Sequence, residues 1–195
     1  MSKQKIGIFG GSFNPVHNGH IALAKELLSA TDLDEIWFMV SPHNPLKPVG
    51  SLLDDSMRLR LVVNALENED RLKACDYEFH LPKPSYMLNT LQHLSADYPD
   101  TEFTLLIGAD NWECFPKWHA YEDIIRNYSI IIYPREGSEI DASTLPSSVT
   151  LVPTPLYTIS STKIRENIAT GISIEGLVPE CIRRQVEIFY ASLQV

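Results

Sequence analysis

The sequence predicts an α/β fold in which one parallel β-sheet carries helices on both of its faces. Short apolar runs of strand length, such as residues 36–40 and 129–133, alternate with segments whose apolar residues have helical spacing. This alternation is typical of strand–helix–strand units, in which right-handed crossovers join parallel strands. We therefore expect a doubly wound, Rossmann-like sheet that binds ligands at the carboxyl ends of its strands.

Each element is predicted from its local pattern. The strands are short apolar runs, several of them bounded by turn residues, and cover residues 5–9, 36–40, 72–75, 103–108, 129–133 and 149–152. The helices place apolar side chains three and four residues apart and cover residues 20–30, 57–66, 85–96, 161–169 and 179–193. The polar, turn-rich stretch 134–148 predicts a mobile surface loop. With neither a repeat nor a low-complexity linker in the way, residues 1–195 are expected to form a single domain.

Composition favours an ordinary soluble protein of the cytoplasm. The chain is 44% hydrophobic and 21% charged, and its formal net charge of −9 argues against a surface that coats nucleic acid. It contains neither an apolar run long enough for a membrane helix nor the apolar region of a secretory signal, so we expect no membrane partner. The three cysteines, Cys75, Cys114 and Cys181, are far apart and are expected to be free, buried thiols.

The stretch GIFGGSFNPVHNGH, residues 7–20, joins the first strand to the first helix, where a nucleotide-binding loop would lie. Its glycines match neither G-x-G-x-x-G nor a G-K-[ST] ending, and a tight turn alone would explain them equally well. The two histidines favour the interpretation as a phosphate-binding loop. With Asn18 as the N-cap, the imidazole donors of His17 and His20 would lie at the helix N-terminus, beside free backbone N–H groups and the positive end of the helix dipole. A zinc pair and a purely structural role stay open as alternatives, although nothing supplies the further ligands that zinc needs.

The same loop resembles the H-x-G-H loop of the nucleotidyltransferase superfamily, in the form found in bacterial nicotinate-nucleotide adenylyltransferases. Three further stretches agree with that family in the right order: PSYMLNTL at 84–91, IGADNWECFPKWH at 107–119 and ISSTKIRE at 159–166. The resemblance implies a nucleotidyltransferase type of α/β fold. It also implies transfer of AMP from ATP to nicotinate mononucleotide in NAD biosynthesis, with Mg²⁺ bound mainly through the ATP phosphates.

The resemblance further implies a set of site residues. Those expected to act in catalysis are His17, His20, Lys47 and Arg165. Those expected to bind ATP are Gly10, Gly11, Ser12, Phe13, Gly108, Asp110, Ser160, Ser161, Thr162 and Lys163. Those expected to bind the mononucleotide are Ser85, Tyr86, Cys114, Trp118 and Arg135, with Trp118 supplying an aromatic face for the pyridine ring.

Two departures from the family pattern affect these expectations. Asn14 stands where many members have Asp, which weakens any expectation of a side-chain contact with metal or phosphate. Met87 stands where a Thr often contacts the nicotinate group, so selectivity between acid and amide acceptors stays open. Nicotinamide-mononucleotide, phosphopantetheine and FMN adenylyltransferases share the loop and remain alternatives, as does a nucleotide sensor without catalysis.

Overall fold

A computed structural model describes residues 3–42 and 52–194. Six parallel strands form one sheet: β1 (Gln4–Gly11), β2 (Glu35–Val40), β3 (Leu72–Cys75), β4 (Thr101–Gly108), β5 (Ser129–Tyr133) and β6 (Val149–Leu151). The α-helices are α1 (Asn18–Ala30), α2 (Asp55–Ala65), α3 (Met87–Asp97), α4 (Ala109–Cys114), α5 (Tyr121–Asn127), α6 (Ser161–Ala169) and α7 (Glu180–Ala191). Short 3₁₀ turns lie at Tyr77–His80, Phe115–Lys117, Ala142–Thr144 and Ser192–Gln194.

The strand order β3-β2-β1-β4-β5-β6 places the first strand in the middle of the sheet. Phe9 of β1 is in register with Phe38 of β2 on one side and with Leu106 of β4 on the other. The winding direction reverses between β1 and β4, and such a switch point opens a crevice at the carboxyl ends of the two strands. The loop that follows β1 therefore starts at the place where this fold binds its ligands.

The sheet separates two apolar layers, which confirms the predicted helices on both faces. Alternate residues of a strand face opposite layers: in β2, Phe38 packs into one layer and Met39 into the other. Helices α1, α2, α6 and α7 cover the first layer, while α3, α4 and α5 cover the second. The doubly wound α/β class predicted from the sequence is the fold observed.

Local predictions were less accurate where segments are short or polar. Helix α5 was not predicted, because it spans only seven residues and carries three charges. The stretch 134–148 lies at the surface as expected, but it contains the 3₁₀ turn Ala142–Thr144.

The expectation of buried thiols was wrong: all three cysteines are free, yet Cys114 and Cys181 are exposed and Cys75 is half-buried. Cys114 is the last residue of α4 and Cys181 lies in the first turn of α7, and a lone Cys does not reveal which way it faces.

Candidate functional site

Two neighbouring cavities open at the carboxyl ends of the central strands. The larger has a volume of about 610 Å³ and is lined by the loop after β1, the start of α1, residues 133–136 and residues 155–161. The smaller has a volume of about 260 Å³ and lies on the β2 side of that loop. The residues that line both cavities are Gly10, Gly11, Ser12, Asn111 and Tyr133. Two ligands bound in these cavities would therefore meet at the loop after β1.

The two histidines of this loop form a stacked pair at the start of α1. The ring centroids of His17 and His20 are 3.5 Å apart, with an angle of 20° between the ring planes. His17 itself is the N-cap, which corrects the predicted cap at Asn18; Asn18 is the first helical residue and donates to the Gly176 carbonyl at 2.8 Å. His was not expected at this position because Ser, Thr, Asp and Asn are the usual caps.

Reciprocal hydrogen bonds fix the protonation of the two rings. The backbone N–H of His20 donates to Nδ1 of His17 at 3.3 Å, and the backbone N–H of His17 donates to Nδ1 of His20 at 3.2 Å. An Nδ1 that accepts a hydrogen bond carries no proton, so in a neutral ring the proton is on Nε2. Both side chains line the larger cavity, and each is therefore an Nε2–H donor there.

Burial keeps the pair uncharged. Desolvation, assisted by the charge of Arg135, lowers the pKa of His17 to about 3. Desolvation, together with His17 and Arg135, holds the pKa of His20 well below its usual range. The two histidines are thus neutral donors at pH 7 and do not neutralise charge as cations.

This titration behaviour predicts an acid-sensitive stability. The pKa of His17 is lower in the folded state than in the unfolded state, so protonation favours unfolding. The contribution of neutral His17 to the free energy of unfolding is therefore complete above pH 6.5 and is lost as the pH falls toward 3. We expect this residue alone to reduce the free energy of unfolding by on the order of 2 kcal/mol between pH 7 and pH 5. Urea unfolding at the two pH values measures the effect.

A double variant, His17→Asn with His20→Asn, is the control for that prediction. Asn does not titrate and is itself a good helix cap, so the start of α1 is preserved. The variant should lose less stability than the wild type between pH 7 and pH 5. Identical losses in the two proteins would contradict the assignment of low pKa values to the pair.

Close packing explains the glycine between the two histidines. A Cβ on Gly19 would lie 3.1 Å from Nδ1 of His17 and 3.4 Å from Cβ of Tyr157. A larger residue would therefore push on the His17 ring.

Phe13 has a left-handed backbone, with a φ of 43°. Its ring is buried against Phe9, Phe38 and His20, so a contact of Phe13 with ATP would come from its backbone.

The start of α6 is fastened to the same loop. Ser160 caps the helix by accepting from the Lys163 backbone N–H at 3.2 Å, as its capping-type residues predicted. Ser161 Oγ donates to the Pro15 carbonyl at 2.8 Å, and Arg165 donates to the Asn14 carbonyl at 2.7 Å. These bonds bring a helix N-terminus and an Arg side chain next to the histidine loop, although they are about 150 residues apart in the chain.

The side chain of Asn14 holds the loop from its buried side. Its Oδ1 accepts from the Leu53 backbone N–H at 3.1 Å and from the hydroxyl of Tyr190 on α7 at 2.7 Å. Asn14 is 3% exposed. Its side chain therefore anchors the loop to the segment before α2 and to α7.

An ion pair lies at the edge of the larger cavity. Arg135 Nε is 3.5 Å from Asp110 Oδ1, and the guanidinium carbon lies 5.9 Å from the centre of the Tyr133 ring. Gly108 lies beneath this pair, and a Cβ there would come within 2.9 Å of Cγ of Arg135. Asp110, which the resemblance predicts to bind ATP, lines the larger cavity. Arg135 was predicted for the mononucleotide but lines the larger cavity, close to Tyr133, which borders both cavities.

The smaller cavity has an aromatic and thioether wall. Trp118 and Met87 line it, and the Trp118 ring packs on Phe115 with 5.0 Å between centroids. Trp112 stacks on Phe115 at 5.2 Å and lines neither cavity. Trp118 thus lines a cavity and Trp112 does not; that Trp118 binds the mononucleotide stays a prediction.

Several predicted residues lie away from the cavity walls. Tyr86 is exposed, and its ring packs against His119, next to Trp118, with 4.4 Å between centroids and an angle of 31° between the ring planes. Lys47 lies outside the described residues. The predicted site residues that are described but line neither cavity are Ser85, Tyr86, Gly108, Cys114, Thr162, Lys163 and Arg165.

Other cavity residues were not predicted from the sequence. Asn111 lines both cavities, and residues 155–159 form one wall of the larger one. Residues 155–159 could have been found from the topology alone. They follow β6 and so lie at the carboxyl edge of the sheet, where this fold binds ligands. Residues 155–158 carry no motif that would single them out, and Ile159 is the first residue of the stretch ISSTKIRE.

Within residues 3–42 and 52–194, no three His, Cys, Asp or Glu side chains are grouped so that they could hold a metal ion. Over the same part of the chain, no helix has the length and apolarity needed to cross a membrane.

Comparison with known proteins identifies the family. The sequence model of the cytidylyltransferase-like family matches residues 8–167, which include the histidine loop and the start of α6. The chain belongs to this cytidylyltransferase-like family. The match begins within β1 and ends within α6, so it includes the second half of β1 and all of β2 to β6.

Sequence relatives narrow the position within that family. A protein of Bacteroides fragilis is 47% identical over 186 residues, which are 95% of this chain and 92% of that protein. A protein of Bacteroides thetaiotaomicron is 52% identical over 165 residues, 85% of this chain and 82% of the relative. Each is named as a probable nicotinate-nucleotide adenylyltransferase. The resemblance seen in the sequence motifs is confirmed.

Solved structures support the fold. The Plasmodium falciparum nicotinic acid mononucleotide adenylyltransferase complexed with NaAD superposes with a TM-score of 0.82, covering 97% of both chains at 20% identity. The same enzyme complexed with APC gives a TM-score of 0.79. The α/β nucleotidyltransferase architecture is therefore shared despite low sequence identity.

Proposed function

We propose that the protein transfers AMP from ATP to nicotinate mononucleotide, forming deamido-NAD and releasing pyrophosphate. The observation that carries this proposal is the pair of Nε2–H donors, which lies at the loop where the larger and the smaller cavity meet. The relatives that share most of the chain bear the corresponding name. We assign ATP to the larger cavity and the mononucleotide to the smaller one, and treat residues 1–195 as one nucleotidyltransferase domain that uses the cytoplasmic pools of both substrates.

The reaction needs no general base from the protein. The second pKa of a phosphate monoester is near 6, so the attacking oxygen of the mononucleotide is mostly ionised at pH 7. That oxygen forms a new bond to the α-phosphorus of ATP, and the bond from the α-phosphorus to the bridging oxygen of pyrophosphate breaks. Catalysis then consists of holding two polyanions together and stabilising charge on the transferred and departing groups.

The assigned donors match these requirements. Neutral His17 and His20 donate Nε2–H to phosphate oxygens and lose no proton during the reaction. The start of α6 offers the N-terminus of a nine-residue helix to the triphosphate, and Arg165 supplies the cation for the departing pyrophosphate. Lys47 and Arg135 remain proposed cations for the same polyanions.

Magnesium enters this proposal through ATP. The carboxylates among the described lining residues of the larger cavity are Asp110 and Glu136, and Asp110 is paired with Arg135. Mg²⁺ prefers phosphate oxygens and retained waters to a dedicated carboxylate cage, so this lining fits a metal that arrives bound to the triphosphate. When bound, the ion would neutralise phosphate charge; we assign no protein ligand to it.

A panel of acceptors tests the function. Pyrophosphate release is measured with ATP plus nicotinate mononucleotide, nicotinamide mononucleotide, phosphopantetheine or FMN, each in a separate reaction. We expect the highest kcat/KM with nicotinate mononucleotide. Activity confined to another acceptor would replace the assignment, and binding of ATP with no turnover on any acceptor would indicate a nucleotide sensor.

The Trp118→Ala variant tests which cavity takes the mononucleotide. Trp118 lines the smaller cavity, so we expect the KM for the mononucleotide to rise by on the order of 10-fold, with little change in ATP affinity. Trp112→Ala is the matched control, because it also removes an indole from Phe115 but one that lines neither cavity. Weakened ATP binding with an unchanged mononucleotide KM would reverse the assignment of the cavities.

A further inference from the structure

Arg58 on α2 is a fully buried cation that the mechanism above does not use. Its side chain is 0% exposed. One guanidinium nitrogen, Nη2, is 2.5 Å from Oδ1 of Asp55. Its other hydrogen bonds go to backbone carbonyls, which are contributed by Leu53, Ser12 and Ser41.

These carbonyls come from three separate segments around the smaller cavity. Nε of Arg58 donates to Leu53 O at 3.0 Å, and Nη2 donates to Ser41 O at 2.9 Å. Nη1 donates to the carbonyl of Ser12. Ser12, Ser41 and Leu52, the neighbour of Leu53, all line the smaller cavity. One side chain therefore fastens the loop after β1, the end of β2 and the entry to α2.

The bond to Ser12 also sets the direction of a backbone donor. The peptide bond between Ser12 and Phe13 is trans, because the cis bonds of the described chain lie at Pro15 and Pro84. A trans peptide carries its C=O and N–H on opposite sides, so holding the Ser12 carbonyl toward Arg58 turns the Phe13 N–H away from the guanidinium. Ser12 lines both cavities, so the same bond fixes the backbone at the point where the two cavities meet.

Ser41 is held from a second side. Its hydroxyl donates to the buried carboxylate of Glu78, which also accepts from the Thr90 hydroxyl at 3.0 Å. The polar contacts thus continue from Arg58 through Ser41 and Glu78 to α3, the helix that begins at Met87 in the wall of the smaller cavity. Ser12 and Ser41, which Arg58 holds, and Met87, the first residue of α3, all line that cavity.

Stability alone does not account for a buried cation of this kind. Well-packed apolar residues stabilise a core about as well as a buried ion pair of similar volume. What the guanidinium adds is a planar set of fixed N–H directions that orients several acceptors at once. We propose that Arg58 is a positioning residue for the acceptor side of the site, acting through the three carbonyls that it holds; this inference rests on the proposed function.

The test compares Arg58→Met and Arg58→Lys with the wild type and with Arg60→Met. Methionine keeps much of the volume but none of the donors, whereas lysine keeps the charge and part of the hydrogen bonding. Arg60 lies on the same helix with an exposed side chain, so its variant controls for the loss of an α2 arginine. The measurements are mononucleotide KM and kcat at saturating ATP, ATP Kd by calorimetry, and thermal unfolding.

We expect Arg58→Met to raise the mononucleotide KM by about 10-fold and to lower kcat/KM by on the order of 10², with ATP Kd within about threefold of wild type. Arg58→Lys should fall between Arg58→Met and the wild type, and Arg60→Met should match the wild type. Kinetic constants within twofold of wild type in both Arg58 variants would overturn the inference. So would unfolding of both variants at the assay temperature, which would assign Arg58 to stability. Lack of activity in the wild type would instead overturn the proposed function, and this inference with it.

Discussion

The His20→Ala variant is expected to lower kcat by on the order of 10² to 10³ while changing ATP Kd much less. His20 is neutral, and its Nε2–H is directed by the hydrogen bond that its Nδ1 accepts from the His17 backbone. A preorganised donor of this kind contributes mainly when negative charge develops on the transferred phosphoryl group. Steady-state kinetics together with calorimetric ATP binding separates the two effects.

Two further substitutions at this position distinguish the two ring nitrogens. His20→Asn places an acceptor near the position of Nδ1 and so keeps the cap, but it has no donor at the position of Nε2. His20→Gln places its amide near Nε2 and gives up the cap. We expect His20→Asn to be as slow as His20→Ala and His20→Gln to recover part of kcat. His93→Ala, which removes an exposed histidine on α3, is the control.

Loss of ATP affinity equal to the loss of kcat would contradict this role. His20 would then stabilise bound ATP and the transition state equally, and its hydrogen bond would contribute to substrate binding without accelerating the chemical step. Full activity of His20→Asn would contradict the assignment of the donor to Nε2, since only the contact with the His17 backbone survives in that variant.

The sequence predicted the parts of the site that depend on local geometry. Residues three apart at a helix start lie on the same face, so the contact between His17 and His20 followed from their spacing. The cap was missed because histidine rarely accepts this role, and only the stacked pair makes each Nδ1 available to the backbone of the other. The consequence, two neutral donors, depends on burial that no spacing reveals.

The parts that the sequence did not predict depend on contacts between distant segments. Arg58 lies in the buried stripe of α2 with Leu61, Val62 and Ala65, a pattern visible in the sequence. Charged residues are nevertheless almost always expected at the surface, and its three carbonyl partners come from loops whose paths the sequence leaves open. The same reason applies to Tyr190, which reaches Asn14 across 176 residues.

Arg165→Ala is expected to lower kcat by on the order of 10² to 10³, because a cation opposite the departing pyrophosphate stabilises charge that grows as the bond breaks. Arg165 is held next to the histidine loop by its bond to the Asn14 carbonyl at 2.7 Å, and it contacts Oγ1 of Thr162 at 3.2 Å. Arg165→Lys should recover only part of the loss, since an ammonium group keeps the charge without the planar fork.

The reverse reaction separates a phosphate contact from a structural bond to the loop. If Arg165 holds the departing group, Arg165→Ala raises the KM for pyrophosphate in ATP formation from deamido-NAD. If it only fastens α6 to the loop, kcat falls in both directions while that KM stays constant, and this outcome would contradict the assignment.

The control for the loss of one positive charge is Arg126→Ala on α5. The Arg126 side chain is 68% exposed and is paired with Asp123. Because the chain carries a net charge of −9, a purely long-range effect would appear in the Arg126 variant as well, whereas a specific contact leaves that variant unchanged.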